Sequence, residues 1–312
     1  MLPDGRVFEQ WLRAVPGFAG ARVTAVAIAD GGASNVTCRV ALADAPAPAV
    51  GLRVQRERGI FEPYDVVREG EVVRCLADSG VPVPRVLGSE PSGDVLGAPF
   101  IAMEWVDAPH MGMAPGANYG AFVAMVARIH ALDWKQLGLG FLGIPDSARA
   151  ALLGELAVIE QRRQRFAGAD ERLLEEAHEL LVASVPDDGR VAFCQGDINV
   201  FNYLFRDGEV AAVVDWEQAR LSDPRSDAGQ LLALSNLKGM PFGPADEQPF
   251  VLAYGAATGE PLRGMAWFRA RWLWELGVIY HGWRAFNHSD PWYTHEMLAD
   301  TLRAAMDELA HG

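Results

Sequence analysis

The chain has 312 residues, 50% hydrophobic and 22% charged, the composition of an ordinary folded protein rather than a disordered or fibrous one. That length exceeds one simple core and predicts two tightly joined lobes. A formal net charge of −14 argues against nucleic acid as a partner, because nothing neutralises the phosphates. Cys38, Cys75 and Cys194 form no C-x-x-C pair, which argues against a disulfide framework or a zinc site and predicts a reducing, cytoplasmic setting; His288 and His295 show no metal-site spacing with partners. The start of the chain lacks a basic stretch followed by an apolar run, so no secretion signal is expected. The longest uncharged stretch, from Ala108 to Ala127, is interrupted by His110, Asn118, prolines and glycines, so no membrane span is expected either.

Residues 6–20 read as a short amphipathic helix carrying Phe8, Trp11, Leu12 and Val15. Val-rich alternation predicts strands over 23–29, 37–42 and 50–55. Asp30-Gly31-Gly32-Ala33-Ser34-Asn35 lies between the first two, and an Ala-Pro-rich loop at 43–48 lies between the second and third. A helix is predicted over 64–79, with Val67, Val72 and Leu76 on one face, ending at Gly80 before the extended Val81-Pro82-Val83-Pro84. Strands near 84–89 and 99–105 are expected to form a hairpin around Ser92-Gly93-Asp94. Beyond residue 106 the pattern turns helical, with predicted helices over 119–132, 149–164 and 170–184 and from 226 to the end. One strong β signal returns, a hairpin from Asn202 to Asp215 turning at Arg206-Asp207-Gly208. The fold class is therefore α+β, since a parallel doubly wound sheet would alternate strand and helix throughout.

The chemistry sits around that hairpin. In Phe193-Cys194-Gln195-Gly196-Asp197-Ile198-Asn199-Val200-Phe201-Asn202, an Asp is followed five positions later by an Asn (202 − 197), and Asp215 stands 13 further on (215 − 202). Phosphoryl transfer needs such a set: one carboxylate to take the hydroxyl proton, and an amide oxygen with a second carboxylate to hold magnesium on the phosphates. The segment, with Val213-Val214-Asp215-Trp216-Glu217 and Asp223-Pro224-Arg225-Ser226-Asp227, resembles the catalytic and metal-binding motifs of the aminoglycoside phosphotransferase and choline kinase branch of the protein kinase-like superfamily. The resemblance spans nearly the whole chain. It implies a two-lobed kinase-like fold, a small antiparallel N-terminal lobe with one helix (1–106) and a larger helical lobe (107–312). It also implies Asp197 as base, Asn202 and Asp215 as magnesium ligands, and Asp227 as a structural acceptor bracing the catalytic loop. Where the family has His, two residues before the base, this chain has Gln195, which can donate and accept as well.

The same resemblance extends to the N-terminal half. Gly31, Gly32, Ser34 and Asn35 occupy the place of a phosphate-covering turn. Arg53 stands where much of the superfamily has Lys, with Glu69 its expected partner and Glu71 an alternative. Ala102-Met103-Glu104-Trp105-Val106 looks like the hinge, so the backbone of Met103, Glu104 and Val106 would meet the purine of ATP or GTP. His130 reads as a structural histidine. Trp274, Glu275, Tyr280 and His281 are candidates to line an acceptor pocket, although aromatics in helices are mostly core.

The function this implies is magnesium-dependent transfer of the γ-phosphate of ATP or GTP to a hydroxyl of a small molecule. The competing reading is a weak or inactive nucleotide-binding regulatory protein, signalled by Gln195 and Arg53. Residues 1–106 carry 10 basic and 13 acidic residues (−3), and 107–312 carry 17 and 28 (−11). A field of that sign attracts a cationic substrate or a magnesium nucleotide, and equally serves solubility. Aminoglycosides, amino alcohols, and hydroxy acids or their thioesters all remain acceptors to consider. A monomer or homodimer is expected.

Overall fold

The computed structural model describes residues 3–29, 34–114, 117–167, 171–237, 248–289 and 291–311. Two compact units are present: residues 1–108 with 211–217, and residues 109–210 with 218–312. The expected phosphate-covering glycines Gly31 and Gly32 lie outside the described residues.

The first unit opens with α1 (Gly5–Leu12), capped by the Asp4 carboxylate, which accepts from the backbone N–H of Arg6 and Val7. The predicted helix to residue 20 is corrected here. The backbone turns after Leu12, where the N–H of Val15 bonds the Leu12 carbonyl, and Gly17 follows with φ of 89° beyond the helix-breaking Pro16. Five strands follow: β1 (Arg22–Ile28), β2 (Val36–Ala43), β3 (Ala49–Val54), β4 (Val86–Glu90) and β5 (Phe100–Glu104), with α2 (Val66–Leu76) between β3 and β4. They form one antiparallel sheet in the order β1-β2-β3-β5-β4.

The period-two pattern of the strands decides where the site can be. Cys38, Val40, Leu52, Phe100 and Ala102 share one core with Phe8 and Leu12 of α1. Trp11 and Phe100 meet there with ring centroids 4.8 Å apart. Residues of the opposite parity, Thr37, Arg53 and Ile101, are cross-strand neighbours in register. Their face is the one α2 covers: a Cβ at Gly70 of α2 would stand 3.0 Å from Ile101. A slip of one residue in β3 would bury Arg53 in the apolar core.

The second unit holds α3 (Tyr119–His130), α4 (Ala148–Phe166), α5 (Arg172–Ala183), α6 (Arg225–Asn236), α7 (Gln248–Thr258), α8 (Met265–Asn287) and α9 (His295–His311). Strands β7 (Tyr203–Arg206) and β8 (Glu209–Val213) make the predicted hairpin, and the division between the units passes through β8. Two strands were not expected: β6 (Ala192–Cys194) and β9 (Arg220–Ser222), which pair antiparallel. At three residues each they carry no readable alternation. Buried α8 packs against α4, α5, α6 and α9. The indole N–H groups of Trp267 and Trp274 donate to backbone carbonyls, of Leu181 at 3.1 Å and of Leu174 at 2.9 Å. Among the described residues no helix is long and apolar enough to cross a membrane.

Helices α6 and α8 approach closely at Gly229, where a Cβ would stand 2.6 Å from the backbone oxygen of Phe268. Gly229→Ala is therefore expected to destabilise the fold by about 1–3 kcal/mol through overpacking, read as a lower urea midpoint at unchanged slope.

Candidate active site

In the first unit the centre is Arg53, 8% exposed. Its guanidinium spreads four bonds over four partners: Nε donates to Glu69 Oε2 at 2.6 Å, Nη1 to Thr37 Oγ1 at 3.1 Å, and Nη2 to Asp215 Oδ1 at 2.7 Å and Glu217 Oε2 at 2.9 Å. The forked planar head makes this possible, where a single ammonium could not span all four. Glu69 is 2% exposed, while Glu71 is solvent-exposed, so the partner of Arg53 is Glu69. The helix supplies Glu69 because Asp65 caps α2, its carboxylate accepting from the N–H of Arg68 at 2.9 Å, and so fixes the first turn.

One guanidinium faces three carboxylates, and the imbalance shows in their proton affinities. Burial raises the Glu69 carboxyl to about 8; Arg53 opposes that rise, while Asp215 and Glu217 add to it. Burial and then the neighbouring Asp215 also raise Glu217. Arg53 is held above its ordinary value because Asp215, Glu69 and Glu217 outweigh the effect of burial.

Asp215 follows β8 with φ of 63°, the left-handed region that few residues other than Gly adopt. Its neighbour Trp216 is buried, with the indole N–H on the Val213 carbonyl at 3.1 Å and the backbone N–H 3.4 Å from Glu69 Oε1. The turn that reverses direction at Asp215 is thus anchored by the next residue, which holds the unfavourable backbone conformation in place. Ser34 and Asn35 sit on the same cluster. The Asn35 amide donates to Glu217 Oε2 at 3.0 Å and its oxygen accepts from the Arg56 N–H at 3.1 Å, while Ser34 hydrogen-bonds Glu217. Met103 and Glu104 end β5, where the Glu104 N–H bonds the Arg85 carbonyl at 2.9 Å; the Val106 carbonyl accepts from Ala108.

In the second unit the loop after β6 carries Asp197. Its carboxylate accepts from three side-chain amides: Asn199 at 2.7 Å and Gln230 on Oδ1, and Asn202 at 2.9 Å on Oδ2. The Asn202 amide also donates to the Asp197 carbonyl at 2.9 Å, so both bonds use its nitrogen and leave Oδ1 for another partner. Gln230 of α6 additionally accepts from the Ile198 N–H at 2.8 Å, gripping the loop on both sides of Ile198.

Asp227 braces the same loop from below. Its two oxygens accept from the N–H groups of Gln195 at 2.8 Å and Gly196 at 3.1 Å. His130 Nε2 lies 3.1 Å from Asp227 and Nδ1 2.8 Å from the Tyr254 hydroxyl, so His130 is a satisfied structural residue. The Gln195 side chain accepts from the Tyr203 hydroxyl at 2.7 Å. Glutamine at the family's His position is thus integrated into the loop's packing.

Reasoning from sequence missed Gln230, Asn199 and Thr37 as members of these clusters, and Arg220 with Glu155 beneath the loop. Arg220 Nε bonds Glu155 Oε1 at 3.0 Å and Arg271 reaches Glu155 Oε2 at 2.8 Å. Gln230 lies three residues after Asp227 on α6, the spacing of one helical face, which is the signal that could have found it. The suggested acceptor-pocket residues are corrected in part. Trp274 is fully buried core, and Glu275 is spent on Arg271 at 2.8 Å.

A family model described as "Phosphotransferase enzyme family" matches residues 25–273. Among curated proteins, the chain is 29% identical over 223 residues to acyl-CoA dehydrogenase family member 10 of Mus musculus, covering 64% of this chain and 19% of that protein. It is 28% identical over 176 residues to acyl-CoA dehydrogenase family member 11 of Homo sapiens, covering 53% and 22%. The chain therefore spans about a fifth of the length of these relatives. Among solved structures it resembles a putative aminoglycoside phosphotransferase from Ralstonia eutropha JMP134, with a TM-score of 0.71 at 21% identity, covering 98% of this chain and 96% of that one. It also resembles a thermostable mutant of aminoglycoside phosphotransferase APH(4)-Ia in complex with ADP and hygromycin B, with a TM-score of 0.66 at 12% identity, covering 99% of each chain. At these identities the structural likeness shows the kinase-like fold.

Removing the cation from the Arg53 cluster leaves buried carboxylates facing one another. Arg53→Met is expected to destabilise the protein by about 3–5 kcal/mol in denaturant titration, and Arg53→Lys by less, because charge is kept but the fork is lost.

Proposed function

The chain belongs to the phosphotransferase enzyme family, and on that premise we propose that it is a small-molecule kinase that moves the γ-phosphoryl group of ATP or GTP to a hydroxyl, with Asp197 as base. The observation that carries this reading is the Asp197 carboxylate. Side-chain amides of Asn199, Asn202 and Gln230 donate to it and fix its orientation, as a positioned general base requires. In the step itself, the acceptor hydroxyl gives its proton to Asp197 as its oxygen bonds to the γ-phosphorus. The bond from the γ-phosphorus to the β–γ bridging oxygen breaks, and the nucleoside diphosphate leaves.

Arg53 is the proposed phosphate-side cation, with Ser34 and Asn35 beside it and the backbone of Met103, Glu104 and Val106 meeting the purine. The donor set fits magnesium. The Asp215 carboxylate and Asn202 Oδ1 are hard oxygen donors, and Asn202 has its nitrogen committed to Asp197. When bound, the ion would neutralise phosphate charge. Asn202 would connect it to the base, and Arg53 would hold Asp215 in place. For the acceptor, aminoglycosides and hydroxy acids or their thioesters both belong in the test, the former because a structural neighbour binds hygromycin B and the latter because the chain matches part of acyl-CoA dehydrogenase family members.

Thermal-shift titration with ATP and GTP tests the nucleotide site. A rise in midpoint that needs Mg²⁺ is expected in the wild type and a smaller rise in Asp215→Ala. No rise with either nucleotide at millimolar concentration would favour a protein that has lost the activity.

Acceptor turnover tests the base. Asp197→Asn should keep the nucleotide-dependent shift and lose about 10²–10⁴-fold in kcat. A panel of hydroxy acids, their thioesters and hygromycin B then ranks the acceptors.

A further inference from the structure

We propose that Glu171, His281 and His295 form a binding site for a divalent transition-metal ion, of which Zn²⁺ is the natural candidate, separate from the phosphotransfer residues. The three come from different elements of the second unit: Glu171 precedes α5, His281 lies in α8, and His295 opens α9. One donor atom from each lies within 4.8 Å of the others. His281 Nε2 stands 3.2 Å from Glu171 Oε1, and His295 Nε2 stands 3.4 Å from Glu171 Oε2. Donors around tetrahedral zinc, at bonds near 2 Å, are separated by about 3.3 Å. Two imidazoles and one carboxylate are a common ligand set for such ions, with remaining positions open to water.

Two further observations set this cluster apart from an ordinary ion pair. His281 Nε2 is buried and has no hydrogen-bond partner despite its distance to Glu171, so its direction misses the line such a bond needs. A shared cation would satisfy that nitrogen. Glu171 heads α5 through its carbonyl, which accepts from the N–H of Leu174 at 3.0 Å and Glu175 at 3.2 Å, while its carboxylate takes no part in capping. The backbone thus fixes the residue and leaves its side chain to the histidines. An ion here would tie α5, α8 and α9 together, elements that already pack on one another.

The test uses the full chain, freed of metal with a chelator and titrated with Zn²⁺ by calorimetry and with Co²⁺ by visible absorption. One equivalent per chain, a higher thermal midpoint and a cobalt ligand-field band without sulfur charge transfer are expected. His295→Ala, at a half-exposed position, should leave the metal-free midpoint unchanged and weaken binding at least about 10-fold; His281→Ala and Glu171→Gln should do the same. Asp215→Ala should bind zinc as the wild type does, which separates this site from the proposed magnesium ligands. The proposal is overturned if the wild type takes up no zinc, if His295→Ala and Glu171→Gln bind it undiminished, or if the cobalt spectrum shows thiolate ligation.

Discussion

A single buried guanidinium organises the first unit. Arg53 is fixed in β3 by the strand's register, and its fork draws Glu69 from α2, Thr37 from β2, and Asp215 and Glu217 from the chain beyond β8 onto one point. Residues 211–217 are remote in sequence from the rest of their unit, and this ion cluster is part of what binds them to it. A charge so buried is held in place by geometry. Each of the three carboxylates left alone would be uncompensated, so they and Arg53 keep or lose their arrangement together. Substituting Lys by Arg at this position exchanges a point charge for a planar hub, which explains how the cluster reaches Asp215 directly.

The second unit rests on a different device. The loop that carries Asp197 is short of regular structure, and the backbone N–H groups of Gln195, Gly196 and Ile198 are satisfied by Asp227 and Gln230, both on α6. Gln230 then continues to Asp197, so a single helix supports the loop and aims the carboxylate. Beneath it, the Arg220–Glu155–Arg271 chain of ion pairs keeps α4, β9 and α8 in register. Arg220 and Arg271 depress the Glu155 carboxyl against the effect of burial, as a fully paired buried carboxylate requires. Tyr203 bonding Gln195 shows the same economy: the glutamine's oxygen takes the role of acceptor within a buried pair.

Much of this was legible in the chain's order. Periodicity located the five strands of the sheet, the helix carrying Glu69, and the hairpin before Asp215. Spacing singled out Asp197, Asn202 and Asp215. Where the reading failed, the missing information was not local. The helix predicted to residue 20 stops at residue 12 because the turn after it uses backbone bonds and a glycine that an amphipathic stripe does not reveal. Strands β6 and β9 are three residues each and exist through pairing with one another across 28 positions of chain.

By itself the sequence determined the family, the two kinds of architecture in its halves, and the residues able to take a proton or hold a hard cation, because motif spacing and hydrophobic period are local properties. Only the tertiary structure decided which carboxylate Arg53 engages. It also decided that Gln230 and Asn199 share Asp197, and that Glu171 meets two histidines more than a hundred residues away. Those choices depend on register, on helix faces and on burial. Each is settled by the need of a polar group withdrawn from water to find a partner, and nothing in chain order says which one is near enough.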